Sequence, residues 1–248
     1  MYSVRYRLLN FILKLLMLRR EAADYGLFPP RRSMLAKAHA DTAAFILAHM
    51  PNALGFDTPR QLLEHAIRAV TKDGIVAEFG VNNGGTINHI AKFMPARKVH
   101  GFDSFEGLPE SWQGYNLDVG HFSRKGRMPR VRENVTLHPG WFTDTLPPFV
   151  KSLSQPIALL HVDCDIYSST RTIFQHLKDH IVPGTVIVFD EFFNYPNWQA
   201  HECKAFMEFV AESGIEFEYL AYSYEQTAVI VRSATAPASR LDQALPAF

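Results

Sequence analysis

The residues of this chain best suited to chemistry are carboxylates and glycines placed where short apolar runs end. The run Ile75–Phe79 breaks into Glu78-Phe79-Gly80-Val81-Asn82-Asn83-Gly84-Gly85-Thr86. The run at 98–102 stops at Asp103, and 135–138 leads to Gly140-Trp141. Ile157–Val162 passes through His161 into Asp163-Cys164-Asp165, and 185–189 stops at Asp190-Glu191. One acidic residue after an apolar run is usually a solvated turn; ends loaded run after run imply a shared purpose. Carboxylates gathered in one place repel unless something positive sits among them. Oxygen donors suit Mg2+, Mn2+ or Ca2+ rather than zinc. The alternative is a hydrogen-bonded acidic cluster without metal.

The glycine-rich turn has its own logic. Gly80 permits a tight turn, and Gly84 and Gly85 let a ligand approach the backbone where a helix begins. The dinucleotide pattern G-x-G-x-x-G is absent, because position 82 is Asn. A nucleoside without a pyrophosphate, such as S-adenosylmethionine (SAM), suits this turn better. Asp103 follows about 20 residues later, where a carboxylate can accept from both ribose hydroxyls or simply cap a turn. Gly140-Trp141-Phe142 offers a wall for an adenine ring, with Trp141 equally readable as core. Glu78 can face the ammonium of the amino-acid end of SAM.

A sulfonium donor beside a cation suggests transfer to a hydroxyl. An alcohol holds its proton too tightly to be a good nucleophile, and a bound cation weakens that hold, as it lowers the pKa of water to roughly 7. Holding oxygen and methyl in line can supply roughly 7–11 kcal/mol. The ends Asp163-Cys164-Asp165 and Asp190-Glu191 supply the carboxylates for such a cation, and Asp163 could be both ligand and proton acceptor. His161 is a weaker candidate base, because a strand histidine is more often a satisfied core residue.

These ends need a scaffold that brings them to one rim. Short apolar runs alternate with helical stretches from residue 75 onward, with helices through Phe93, at 168–180 and at 198–213. Runs at 217–222 and 227–231 read as a closing hairpin. Such alternation implies parallel strands with right-handed crossovers: an α/β fold with a doubly wound, mostly parallel seven-stranded sheet and an antiparallel last strand. Ligands bind such sheets at the carboxyl ends of the strands. Thr58-Pro59 reads as the N-cap and first position of a preceding helix. Residues 1–54 read as an N-terminal helical extension, a lid or an oligomer contact; 55–233 as the catalytic domain; and 234–248 as a tail.

Composition narrows the classes. The chain has 248 residues, with 25 Lys plus Arg against 25 Asp plus Glu, so no overall charge favours a nucleic-acid partner. The two cysteines, Cys164 and Cys203, form no CxxC or zinc spacing, which points to a reducing, cytoplasmic compartment. The apolar stretch at 8–18, flanked by arginines, is too short to span a bilayer, which takes roughly 20 apolar residues. It reads as a basic amphipathic helix that packs on its own domain or a partner subunit, touches a membrane surface, or has a targeting role. The segment 105–132 is long and without periodicity, so it is either a lid over the acceptor or a solvated loop. Its basic end, Arg124 to Arg132, could steer a phosphorylated substrate.

Glu78-Phe79-Gly80-Val81-x-x-Gly84-x-Thr86, Asp103-Ser104-Phe105-Glu106-Gly107-Leu108-Pro109, Gly140-Trp141-Phe142-x-Asp144-Thr145-Leu146-Pro147 and His161-Val162-Asp163-x-Asp165-x-Tyr167 together resemble the macrocin O-methyltransferase (TylF-like) family over residues 55–231. The resemblance implies a Rossmann-like class I methyltransferase that uses SAM, usually with Mg2+, on hydroxyls of deoxysugars in macrolides and related metabolites. It implies Asp163 as metal ligand and base, with Asp190 and Glu191 completing the metal set. It also implies SAM contacts from Glu78, Gly80, Thr86, Asp103 and Asp165, to which the neighbouring Asn82, Gly84, Ser104, Trp141 and Phe142 are added. Family members oligomerise through N-terminal helices, so a homo-oligomer is expected. The caffeoyl-CoA type of O-methyltransferase is similar but places Asp-Asn where this chain has Asp190-Glu191, and the lysine of the catechol type is replaced by Ile166. Two other readings compete: a nicotinamide-dependent oxidoreductase, which the missing second glycine disfavours, and a non-catalytic SAM-fold module, which would not need to gather carboxylates.

Overall fold

The computed structural model describes residues 30–234; the basic stretch at 8–18 and all of the expected tail at 234–248 except Ala234, which ends the last strand, lie outside them. The elements are α1 (Pro30–His49), β1 (Leu54–Gly55), α2 (Pro59–Ala69), β2 (Ile75–Phe79), α3 (Gly85–Phe93), β3 (Val99–Asp103), β4 (Val135–Pro139), α4 (Phe142–Ser152), β5 (Ile157–Val162), α5 (Tyr167–Leu177), β6 (Val186–Phe189), α6 (Glu202–Ser213), β7 (Ile215–Tyr222) and β8 (Thr227–Ala234). Thr58 caps α2 by accepting the Gln61 N–H at 3.3 Å, with Pro59 in the first turn, as the Thr-Pro pair signals. Among the described residues no helix is long and apolar enough to cross a membrane.

The strands form one eight-stranded sheet in the order β1-β7-β8-β6-β5-β2-β3-β4. It has one strand more than the sequence pattern suggests. The addition is β1, two residues that pair in parallel with Ala221 and Tyr222 of β7, too short to show a period. β8 runs antiparallel to both its neighbours, β6 and β7. The chain winds outward from β2 to β4, then restarts beside β2 with β5. That reversal opens a crevice at the carboxyl ends of β2 and β5.

Alternation along the strands divides the core into two layers. Ala77, Phe79, Leu160, Val162, Ile187 and Phe189 face one side, where α4, α5 and α6 contribute Phe149, Phe174 and Phe206. Val76, Leu159, Val186 and Val188 face the other, against Leu62, Ala66, Ile87 and Ile90 of α2 and α3. Phe174 and Phe206 are fully buried, and truncating either to alanine would cost about 3–5 kcal/mol. α1 lies on the first layer through Phe45, which meets Trp198 edge-on at 5.5 Å.

Backbone hydrogen bonds continue past the ends of the strands. The N–H of Gly80 donates to Phe102 O, that of Asp163 to Phe79 O and that of Asp190 to Val162 O, each at 2.9 Å. The approach is closest at Gly80, which has φ +96° and where an added Cβ would lie 1.6 Å from the Asp163 carbonyl oxygen. Only glycine fits both the angle and the space.

Two predictions follow from this frame. Gly80→Ala should lose about 3 kcal/mol or more in urea unfolding, whereas Gly85→Ala, with only the Asn83 side-chain oxygen at 3.1 Å, should lose far less. The second concerns His100 and His138, whose rings meet across β3 and β4 at 3.0 Å between Nδ1 and Nε2. Burial, then His138 and Lys98, depresses the pKa of His100 to about 4, and burial lowers His138 as well. A depressed histidine stabilises the fold above its unfolded pKa of about 6.5, and this is lost as pH falls toward 4. The thermal midpoint of His100→Phe should therefore fall less than that of the wild type between those pH values.

Candidate functional site

A cavity of about 540 Å3 opens at the crevice between β2 and β5. The sheet brings Gly80, Asn82, Thr86, Asp103, Ser104, Trp141, Phe142, Asp163, Asp165 and Glu191 to its wall. Asp103 and Asp163, which the sequence reading needs as neighbours, share this hollow. Four expected residues do not line it: Glu78, Gly84, His161 and Asp190.

On the β3 side the geometry centres on Asp103. Its Oδ2 accepts the Asn82 N–H at 2.7 Å and its Oδ1 the Phe105 N–H at 2.6 Å. Both donors have left-handed backbones, with φ 43° at Asn82 and 57° at Phe105. Asparagine tolerates this and a buried phenylalanine does so only under constraint. Each carboxylate oxygen keeps a second lone pair for a ligand hydroxyl. Trp141 is 39% exposed, which removes its reading as plain core. Phe142 meets Phe79 edge-on at 5.3 Å.

On the β5 and β6 side, Asp163, Asp165 and Glu191 converge, with one oxygen from each all within 4.8 Å of one another. This trio differs from the expected set of Asp163, Asp190 and Glu191. Consecutive residues diverge as they leave β6, so Asp190 turns the other way. Its Oδ1 lies 3.9 Å from His161 Nε2. Asp165 turns inward through a left-handed backbone, φ 68°. Burial, then the charges of Asp190 and Asp165, holds Asp163 well above the usual carboxylate range. Burial, then Asp190, raises Asp165 to about 7. Glu191 is raised well above its usual value by burial, then Asp190 and Asp165. Glu191 Oε2 is buried with no hydrogen-bond partner. An oxygen-only set with crowded charge and an orphaned oxygen fits a hard divalent cation.

The other expected residues sit behind this wall. His161 and Glu78 are paired across β5 and β2 and face the α2–α3 layer, with His161 Nδ1 3.4 Å from Glu78 Oε2. Burial alone would lower His161; Glu78 and Asp190 on either side outweigh it, so its pKa is raised. With Asp190 it borders a second cavity of about 290 Å3, which also touches Arg60, Thr86, His89 and Gln226. His161 is thus walled off from the acceptor side and is not placed as a base there. Gly84 is the N-cap of α3, φ 81°, and packs against Pro129.

The segment at 105–132 folds as a packed loop. Gly107 allows it to close on itself, since a Cβ there would lie 2.2 Å from His121 O. The N–H of Leu108 donates to His121 O, and those of Arg124 and Gly126 donate to Phe105 O. Trp112 packs edge-on to Tyr195 at 5.6 Å, and the Tyr115 hydroxyl donates to Glu225. Leu108, Pro109 and Phe122 reach the cavity wall. The basic end instead crosses α3, where the Arg132 N–H donates to Asn88 Oδ1 at 2.8 Å.

Sequence reasoning missed Phe122, Ser168, Ser169 and Thr172, which also line the cavity, because loop and helix-start positions carry no strand-end signal. It also missed Glu202, fully buried in the first turn of α6. The signal was present: Glu202 falls in phase with Ala205, Phe206 and Phe209 on the buried stripe, an unusual place for a carboxylate.

The chain is 28% identical over 159 residues to the 8-demethyl-8-(2,3-dimethoxy-alpha-L-rhamnosyl)-tetracenomycin-C 4'-O-methyltransferase of Streptomyces olivaceus, covering 52% of this chain and 58% of that protein. It is 28% identical over 162 residues to the mycinamicin III 3''-O-methyltransferase of Micromonospora griseorubida, covering 52% of this chain and 61% of that protein. The matched stretch thus spans less than two thirds of either relative. The fold is similar to that of the calicheamicin methyltransferase CalS11, with TM-score 0.57, 20% identity, and coverage of 82% of this chain and 93% of that one. The family model for macrocin O-methyltransferase (TylF) matches residues 57–221. That match runs from just before α2 to the end of β7 and takes in every strand that carries a cavity residue: the chain belongs to the macrocin O-methyltransferase (TylF) family.

Proposed function

We propose that the protein transfers a methyl group from SAM to a hydroxyl of a sugar-bearing small metabolite. The observation that carries this reading is the single cavity that joins Asp103 to the Asp163, Asp165 and Glu191 trio. Family membership supports the reaction class, and the names of the relatives, with hydroxyls of rhamnosyl and macrolide sugars, support the acceptor class.

In this reading Asp103 accepts from the ribose hydroxyls, and Trp141 flanks the base. The amino-acid end reaches Thr86, at the first turn of α3, where helix N–H groups and the macrodipole favour a carboxylate. Asp163, Asp165 and Glu191 would hold a divalent cation, Mg2+ or Mn2+, which when bound would lower the pKa of an acceptor hydroxyl and fix its oxygen. The acceptor oxygen attacks the methyl carbon in line, the carbon–sulfur bond breaks, and sulfur leaves as a neutral thioether. The hydroxyl proton passes to Asp163, which lines the same cavity. The loop carrying Leu108 and Phe122 acts as the lid that excludes water.

Three outcomes test this reading. S-adenosylhomocysteine at 100 times its dissociation constant should stabilise the protein by about 2.7 kcal/mol in thermal unfolding, and NAD should not. Asp163→Asn should lower turnover by roughly 100-fold or more while binding S-adenosylhomocysteine as the wild type does; unchanged turnover would exclude the assignment. The third concerns pH. A carboxylate whose folded pKa is raised stabilises least when ionised, so without cation this contribution falls as pH rises from about 4 to about 7, the Asp165 value. A cation offsets the crowded charge, so the gain in thermal midpoint with Mn2+ should be larger at pH 8 than at pH 5.

A further inference from the structure

We propose that Glu202 is a positioning residue, whose carboxylate holds the two loops bearing Asp163, Asp165 and Glu191 at the spacing a cation requires. The inference rests on the cation-assisted reading and deepens it.

Glu202 is 0% exposed. A carboxylate buried on an apolar stripe is costly unless its hydrogen bonds are used. Its Oε1 accepts the Cys164 N–H at 3.5 Å and its Oε2 the Glu191 N–H at 3.2 Å. Cys164 lies between Asp163 and Asp165, and Glu191 supplies the third oxygen of the trio. One side chain therefore ties the tip of β5 to the tip of β6. Both contacts are long, and a small outward shift of either loop would break them. An ordinary helix-capping role does not account for this. The partners lie 38 and 11 positions away rather than in the first turn of α6, and the cap residue, His201, makes no side-chain capping bond. Groups that orient metal-binding carboxylates from behind typically change affinity 10–100-fold when altered.

The test is Mn2+ titration of the full chain, saturated with S-adenosylhomocysteine, by calorimetry. In Glu202→Gln the amide must turn its NH2 toward one of the two N–H donors, so one bond is lost. Its Mn2+ dissociation constant should rise about tenfold or more, with S-adenosylhomocysteine affinity unchanged. Glu202→Asp keeps the charge but is one methylene too short to reach both donors, so its Mn2+ affinity should stay reduced. Unchanged Mn2+ affinity in Glu202→Gln, even with a lowered thermal midpoint, would reduce Glu202 to a packing role and overturn the inference. Full affinity in Glu202→Asp would show that charge, not placement, matters, and would overturn it equally. A wild type that binds no Mn2+ sinks the cation-assisted reading itself, whereas a wild type that binds alongside an unaffected Glu202→Gln sinks this inference alone.

Discussion

Repulsion among carboxylates at the tips of β5 and β6 is the constraint on which the site depends. Asp163, Asp165 and Glu191 share a few ångströms, with Glu202 behind them and Asp190 beside them. Among the described residues no lysine or arginine lines this cavity. Burial removes the water that would otherwise screen the charges, so the cluster must take up protons or a cation. The sheet brings the strand tips side by side, laced by backbone hydrogen bonds that continue beyond the strands. Gly80 is part of the same lacing, since any side chain there would push β2 away from β5.

The period-two geometry of strands gives the tips two jobs. Tips facing one way build the cavity, while the buried Glu78 and His161 and the half-buried Asp190 form a polar line on the other side. The two sets meet at Thr86, which among the described residues is the one common to both cavities. Protonation of the line would therefore be felt electrostatically at Asp163, which Glu78 and Asp190 both raise.

Much of this was legible before any coordinates. Gly80, Asp103 and Asp163 stand out because a parallel sheet needs apolar strands and leaves its chemistry to their ends, so type and position together mark them. Asp165 and Asp190 show where that logic stops. The sequence places both beside strand tips, but which one turns inward depends on a left-handed backbone at Asp165, and an aspartate carries no advance sign of that angle. Strand β1 was illegible for a different reason: two residues cannot display a period, and only the edge of β7 makes them a strand. The loop at 105–132 carried aromatic residues whose partners, Tyr195, His201 and Glu225, lie far along the chain, so its packing had no local signature.

The place of β8 has a consequence for how the protein is made. It is the last strand of the described chain, yet it fills the slot between β6 and β7 rather than an outer edge. During translation the apolar Val186–Phe189 strand has the backbone N–H and C=O groups of one edge unpaired until the residues from Thr227 onward have left the ribosome. Unpaired strand edges of this kind recruit other chains. A nascent chain stalled before β8 would offer such an edge, and a chaperone that shields extended apolar segments would find its natural client there.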